Sequence, residues 1–222
     1  MDNTYQARRA ELQTYFDETA SVTWQKLTSN APVSGIRATV RAGRDRMRAL
    51  MLSRLPADLS GCRVLDAGCG AGQMTADLAA RGAEVMAVDI SPALVNIAKA
   101  RLPAEHAGRV TFASGDMTSD HGTFDYVVAM DSLIYYGTAD ITQALSRLGA
   151  RTSGAVVFTV APRTPFLMAF WTLGRAFPRA DRSPVMVPHA HATLTRETGG
   201  KVTRIDRISR GFYISECLEY RP

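Results

Sequence analysis

Hydrophobic positions follow two different periods along this chain of 222 residues. Near the N-terminus the period is helical. Leu12, Tyr15, Phe16, Thr19 and Leu27, with Trp24 close by, predict an amphipathic helix over 6–28. The run from Ser29 to Gly35, with Pro32 inside it, breaks that helix. Ile36, Val40, Met47, Leu50, Met51 and Leu55 predict a second helix over 36–55, with Arg37, Arg41, Arg44 and Arg48 on another face. From 62 onward the pattern changes to short apolar runs. Strands are expected at 62–67, 84–89, 109–114, 124–130 and 154–161, with helices at 73–81, 92–102 and 139–148. Ser91 as N-cap and Pro92 at the first helical position mark where the helix at 92 begins. Strands that are apolar along most of their length, alternating with helices, predict a parallel sheet covered on both faces. The tail differs: strands at 202–209 and 212–220 flank Arg210 and Gly211, a hairpin that ends the sheet with an antiparallel strand.

Composition narrows the class. Hydrophobic residues at 46% and charged residues at 21% exclude a disordered chain. The length suffices for a full core without covalent staples. Cys62, Cys69 and Cys217 are odd in number and show no CxxC spacing, so neither a disulfide framework nor a zinc site is expected, and a reducing, cytoplasmic setting is. No apolar stretch near Met1 resembles a signal peptide, and none approaches the roughly 20 residues that span a bilayer.

Charge is uneven. Residues 1–54 hold 9 Arg and Lys against 5 Asp and Glu, 55–161 hold 7 against 11, and 162–222 hold 10 against 5. A single domain is read in three parts on these boundaries: an N-terminal helical lid, an acidic core and an acceptor-side insertion with the terminal hairpin. The two basic ends are set to close on an acidic ligand or surface, and arginine, which outnumbers lysine, binds carboxylates two-pronged. Without interleaved aromatic residues these ends do not resemble a nucleic-acid platform.

The chemistry is concentrated where strands are expected to end. Residues 65–72 read LDAGCGAG, a glycine-rich turn between strand and helix. The spacing GxGxG differs from a dinucleotide fingerprint. Asp66, two residues before Gly68, would oppose a phosphate and suit a ligand carrying an ammonium and a sulfonium. Asp89, followed by Ile90, ends the next strand, where a carboxylate can accept both hydroxyls of a ribose. Asp116 and Met117 follow the third strand, placed for the amine and the face of an adenine. Asp131 ends the fourth.

These four strand ends resemble class I S-adenosylmethionine-dependent methyltransferases over about 60–161 and the terminal hairpin. The resemblance implies an α/β Rossmann-like fold with a seven-stranded, mostly parallel sheet. It also implies S-adenosylmethionine bound by Asp66, Gly68, Cys69, Gly70, Asp89, Ile90, Asp116, Met117 and Asp131. Outside the cofactor half, the Arg-rich helix, the run Met130, Asp131, Ser132, Leu133, Ile134, Tyr135, Tyr136, and the segment from Ala161 through Trp171 to Pro184 are similar to magnesium-protoporphyrin IX O-methyltransferases of photosynthetic bacteria. That likeness implies methyl transfer to a propionate, with magnesium arriving inside the porphyrin and no metal held by the protein. It also implies hand-over from magnesium chelatase. Plant and cyanobacterial relatives carry Ile-Tyr-Gly and Ile-His-Tyr where this chain has Leu27-Thr28-Ser29 and Ile134-Tyr135-Tyr136, which leaves Tyr15 and Tyr135 as catalytic candidates. Arg163, Arg179 and Arg182 are candidates for the propionates. His189 and His191 are expected in a solvated loop. The apolar stretch 166–177 reads either as a wall of the acceptor pocket or as a peripheral membrane contact. A small-molecule or quinone methyltransferase of the same class remains the alternative.

Overall fold

The computed structural model describes residues 3–20, 35–165, 167, 168, 172 and 184–222. Trp24, Arg179, Arg182 and most of the apolar stretch 166–177 lie outside them. Helix α1 spans Asn3–Thr14 and runs into a π-helical turn, Tyr15–Ala20; α2 spans Gly35–Leu52. The sequence predicted continuous helical phase through this first segment. The π turn that follows is wider, yet Phe16 still packs with Tyr5 and Leu12 in one apolar cluster.

The alternating region follows: β1 Arg63–Ala67, α3 Gln73–Ala80, β2 Glu84–Asp89, α4 Pro92–Arg101, β3 Val110–Ser114, β4 Phe124–Ala129, α5 Thr138–Gly149 and β5 Thr152–Pro162. Ser91 caps α4 as expected, its Oγ accepting from Leu94 N at 3.2 Å. Then come β6 Pro188–His189, α6 His191–Glu197, β7 Val202–Arg210 and β8 Tyr213–Tyr220. The two short elements β6 and α6 were not anticipated, and they correct the expectation for the histidines. His189 is only 3% exposed and sits in a strand, while His191 opens a helix.

The sheet runs β3-β2-β1-β4-β5-β8-β7, with β6 paired to β5 as an eighth strand beyond the expected seven. β1 to β5 pair in parallel, and β8 is antiparallel to both β5 and β7. Successive side chains feed opposite faces. Leu65, Val127, Val156 and Phe158 join Ile141, Leu145 and Leu194 in one core, while Val64, Val128 and Val157 join Met47, Met51 and Leu78 in the other. Two buried faces explain why these strands read as apolar runs rather than alternations. Strand order reverses between β1 and β4, and a crevice opens there beyond the carboxyl ends, the place where such sheets bind ligands. No helix among the described residues is long and apolar enough to cross a membrane.

Candidate active site

The glycine turn after β1 is shaped by backbone conformations that side chains disfavour. Gly68 has φ 87°, and a Cβ there would meet Ser132 Cβ at 2.4 Å. Gly70 has φ 54° and open space in front of it. One glycine is required by close packing; the other leaves main chain bare to the crevice. Its N–H donates to Asp89 Oδ2 at 2.8 Å, and Ser91 N donates to Oδ1 at 2.9 Å. Two backbone donors thus aim the carboxylate that ends β2. Burial nevertheless pushes the Asp89 carboxyl up to about 6.

Asp66 points elsewhere. Its Oδ2 accepts from Thr75 Oγ1 at 2.6 Å beneath α3, and burial, ahead of the nearby Asp89 charge, pushes it up to about 7. It lines a smaller cavity with Arg44, Arg48, Gly68, Gly70 and Gln73 rather than the main one. Cys69 borders that same space, its thiol raised well above the ordinary range by burial and so inert.

The main cavity encloses about 710 Å³ counted out to open solvent. Gly68, Gly70, Asp89, Ile90, Asp116, Met117, Asp131 and Tyr135 all line it, so most of the sequence-derived set converges. Two of these acids hold protein partners that the sequence did not suggest. Asp116 Oδ1 accepts from Tyr5 OH at 3.0 Å and from Thr118 N and Oγ1, while Arg9 Nη1 pairs with Oδ2 at 3.2 Å. Burial works against its charge, but these donors outweigh burial and hold the carboxyl below its usual range. Asp131 takes Arg44 at 2.6 Å and Tyr213 OH at 3.0 Å, so each of its oxygens already holds a protein partner.

The catalytic candidates separate. Tyr135 lines the cavity, and burial, then the Asp131 charge, raises its phenol well above the ordinary value. It stays protonated at neutral pH and cannot serve as a base. Tyr15 is absent from the lining; the π turn directs its ring edge-on against Phe16 at 5.3 Å, and Phe16 reaches the cavity instead. Arg163 is exposed just past the end of β5 and lines neither of these cavities. His189 donates through Nε2 to Tyr136 O at 2.9 Å and accepts at Nδ1 from Thr138 Oγ1 at 3.2 Å. Burial lowers its basicity, so it is a neutral clamp on the cavity wall.

Sequence reading missed Tyr5, Arg9, Leu12 and Phe16, which face the cavity from the N-terminal segment. Tyr5, Arg9 and Leu12 recur at i, i+4 and i+7, and a cation inside an apolar stripe was the available signal. Arg44 was seen only as one member of a basic face. Tyr213 and Thr159 gave no local signal, because they reach Asp131 only through the pairing of β8 with β5 and of β5 with β4.

Two family models match. One, described as the C-terminus of magnesium-protoporphyrin IX methyltransferase, covers residues 129–222, and one described as a methyltransferase domain covers 64–152. The magnesium-protoporphyrin O-methyltransferase of Rhodobacter capsulatus is 60% identical over 224 aligned positions, covering 100% of both chains. The crystal structure of magnesium protoporphyrin IX methyltransferase from Synechocystis PCC 6803 with bound SAH has a TM-score of 0.81 and 26% identity, covering 96% of this chain and 100% of that one. A ubiquinone biosynthesis O-methyltransferase of Xanthomonas oryzae is 32% identical, over 54% of this chain and 52% of its own.

Two predictions rest on this geometry. Gly68→Ala should unfold at markedly lower denaturant than Gly70→Ala, because its Cβ collides with Ser132, whereas at Gly70 only the left-handed backbone cost of about 1–2 kcal/mol applies. Urea titration of both variants checks it. The raised carboxyls set the second. A carboxyl whose folded pKa exceeds its unfolded value favours the folded state at low pH. That contribution is complete below about 3.8 and fades as pH rises through about 6 for Asp89 and about 7 for Asp66. In Asp66→Asn the fall in ligand-free stability between pH 5 and 8 should be shallower than in the parent protein.

Proposed function

The chain belongs to the magnesium-protoporphyrin O-methyltransferase family, and on that premise we propose that it transfers the sulfonium methyl of S-adenosylmethionine to a propionate carboxylate of magnesium-protoporphyrin IX. The product is the monomethyl ester, a step of chlorophyll or bacteriochlorophyll synthesis. The observation that carries this reading is the likeness to the Rhodobacter capsulatus enzyme over the whole chain, including the acceptor side. The quinone alternative has a match over 54% of the chain in the relative compared above.

The residues present suit the donor. Asp89 is oriented by two backbone N–H groups at the end of β2 and is placed to accept the ribose hydroxyls. The bare main chain at Gly70 admits the amino-acid end against the turn. Met117, Ile90 and Leu94 supply an apolar seat for the adenine. Asp66 acts one layer deeper. Through Thr75 it ties β1 to the start of α3, and its carboxyl adds negative potential beneath the turn when ionised.

A propionic acid ionises at about 4–5, like Asp and Glu, so the acceptor is already a nucleophile at neutral pH. Its oxygen attacks the methyl carbon in line with the departing sulfur. The carbon–sulfur bond breaks as the carbon–oxygen bond forms, giving a neutral ester and a neutral thioether. No proton moves, and neither Tyr135 nor His189 is required as a base. Tyr135 contributes a phenol hydroxyl on the cavity wall. The main service of the protein is alignment, which can supply effective molarities of ~10⁵ M or more.

Transfer of radiolabelled methyl from S-adenosylmethionine to magnesium-protoporphyrin tests the reading. The parent protein should label the porphyrin, and Asp89→Ala should lose at least about tenfold in donor affinity through its lost hydrogen bonds. No label in the porphyrin overturns the assignment. Two finer points belong to the proposal. The substrate is the product of magnesium insertion, which supports hand-over from the chelatase. The basic ends of the chain, with Phe166, Phe170 and Trp171 in the second, support peripheral contact with an anionic membrane. Flotation with anionic vesicles at low salt should carry the protein upward and high salt should release it; no flotation at low salt rejects the contact.

A further inference from the structure

Asp131 is the residue of the cavity whose presence needs most explanation, because the acceptor assigned above is itself an anion. It lies two residues past the end of β4 and precedes Ser132, whose Oγ donates to Ala67 O at the base of the glycine turn at 2.8 Å. It lines the main cavity beside that turn. Its φ is 55°, a left-handed conformation that Asp and Asn tolerate better than most residues. That conformation turns the chain from β4 into the wall formed by Leu133, Ile134, Tyr135 and Tyr136. The turn is pinned from β5: Asp131 N donates to Thr159 Oγ1 at 2.8 Å, and the same hydroxyl donates to Asp131 Oδ1 at 3.3 Å. Shape and hydrogen bonding thus call for an Asx side chain here. They do not call for a charge.

The charge meets partners from distant elements. Arg44, from α2, reaches Oδ2 at 2.6 Å with the two side chains only 16% and 7% exposed. Tyr213, at the start of β8, donates its hydroxyl to Oδ1 at 3.0 Å. The space for that ring is made on α2: a Cβ at Gly43 would lie 2.7 Å from Tyr213 Cδ1. Helix, hairpin and crevice are fitted to one another at this carboxylate. The other acids of the cavity have their own counterweights, Asp89 in backbone N–H groups and Asp116 in Arg9 and Tyr5.

We propose that Arg44 and Tyr213 are positioning residues that cancel the charge of Asp131, so that a carboxylate acceptor can approach the methyl donor past it. The inference rests on the carboxylate reading of the acceptor. With Arg44 removed, Asp131 keeps the turn but presents an uncompensated negative charge to the cavity. It then repels the acceptor and competes with it for the sulfonium. With Asp131 also replaced by Asn, the left-handed turn persists and the repulsion disappears.

The test measures kcat and KM for magnesium-protoporphyrin, and Kd for S-adenosylhomocysteine, in the parent protein, Arg44→Met, and Arg44→Met with Asp131→Asn. Arg44→Met should lose about 30-fold or more in kcat/KM, chiefly in KM, as leaving one member of a buried charge pair alone does. The double variant should return to within about tenfold of the parent, since the coupling between contacting sites is removed. Kd for S-adenosylhomocysteine should hold throughout. A double variant no better than Arg44→Met overturns the inference, as does a loss of product affinity equal to the loss of kcat/KM. If Arg44→Met does not unfold cooperatively, Tyr213→Phe decides. Its loss of kcat/KM should vanish in an Asp131→Asn background, and equal losses in both backgrounds overturn the inference. A parent protein that labels no porphyrin defeats the functional reading itself. A parent that turns over, without rescue, defeats this inference alone.

Discussion

A carboxylate at the end of a buried strand is expensive unless something answers its charge. This sheet places one at the end of β2, one just after β3 and one just after β4 around a single crevice, with a further acid inside β1 facing the smaller cavity. Each is answered differently: Asp89 by backbone N–H groups, Asp116 by Arg9 and Tyr5, Asp131 by Arg44 and Tyr213, and Asp66 by a hydroxyl and a raised pKa. For Asp116 and Asp131 the answering side chains come from α1, α2 and β8, distant in sequence from the acids they serve. The N-terminal helices and the terminal hairpin are therefore bound into the site by its electrostatics as well as by packing. Tyr5 illustrates both, stacking on Tyr136 at 5.0 Å while its hydroxyl serves Asp116.

What could be read in the sequence follows from the range of the forces involved. Strands and helices from β1 to β5 were legible because apolar runs, caps and glycine turns are local signals; the bounds of β2 were met to the residue. The acids at strand ends were legible because the turn after each strand is short. The partners of those acids were not. Arg9 belongs to Asp116 only because α1 crosses the crevice, and Arg44 belongs to Asp131 only because α2 lies over β8, relations that no spacing encodes. Tyr15 and Phe16 show a subtler limit. They are neighbours in a predicted stripe, and a π turn sends one to the cavity and the other away from it. His189 looked like a surface residue because the two-residue strand that buries it has no periodicity to detect.

The reaction suits such a site. A sulfonium and a carboxylate attract, and their reaction leaves two neutral products, so a cavity of low polarity favours the charge-cancelling transition state over the separated ions. The same cavity would be a poor host for a fixed negative charge near the acceptor. That is why neutralisation of its acids matters more here than a general base would. An enzyme methylating a phenol or an alcohol would face the opposite demand, a group able to take a proton. Here the tyrosines Tyr135 and Tyr136 on the wall are raised by burial, and His189 behind it is neutral with both ring nitrogens bonded.

Acceptor choice then has to reside in what covers the sheet. Described residues at both ends of the stretch 163–187 are fastened beside the cavity wall at several points. Arg163 N donates to His189 O at 2.8 Å, Val187 N to Ile134 O at 2.8 Å, and His189 Nε2 to Tyr136 O. Arg8 of α1 joins the same place, donating to Tyr135 O at 3.0 Å and to Val185 O at 3.4 Å. The wall that carries Tyr135 and Tyr136 is consequently held by α1 on one side and by these residues on the other. A change in either would move those two tyrosines while leaving the glycine turn and Asp89 in place. On the proposed reading, the glycine turn and Asp89 serve the donor, while the wall and the segments that hold it serve the acceptor. That division gives a physical reason why the relatives that name magnesium-protoporphyrin match along the whole chain, while the quinone methyltransferase compared here matches over about half of it.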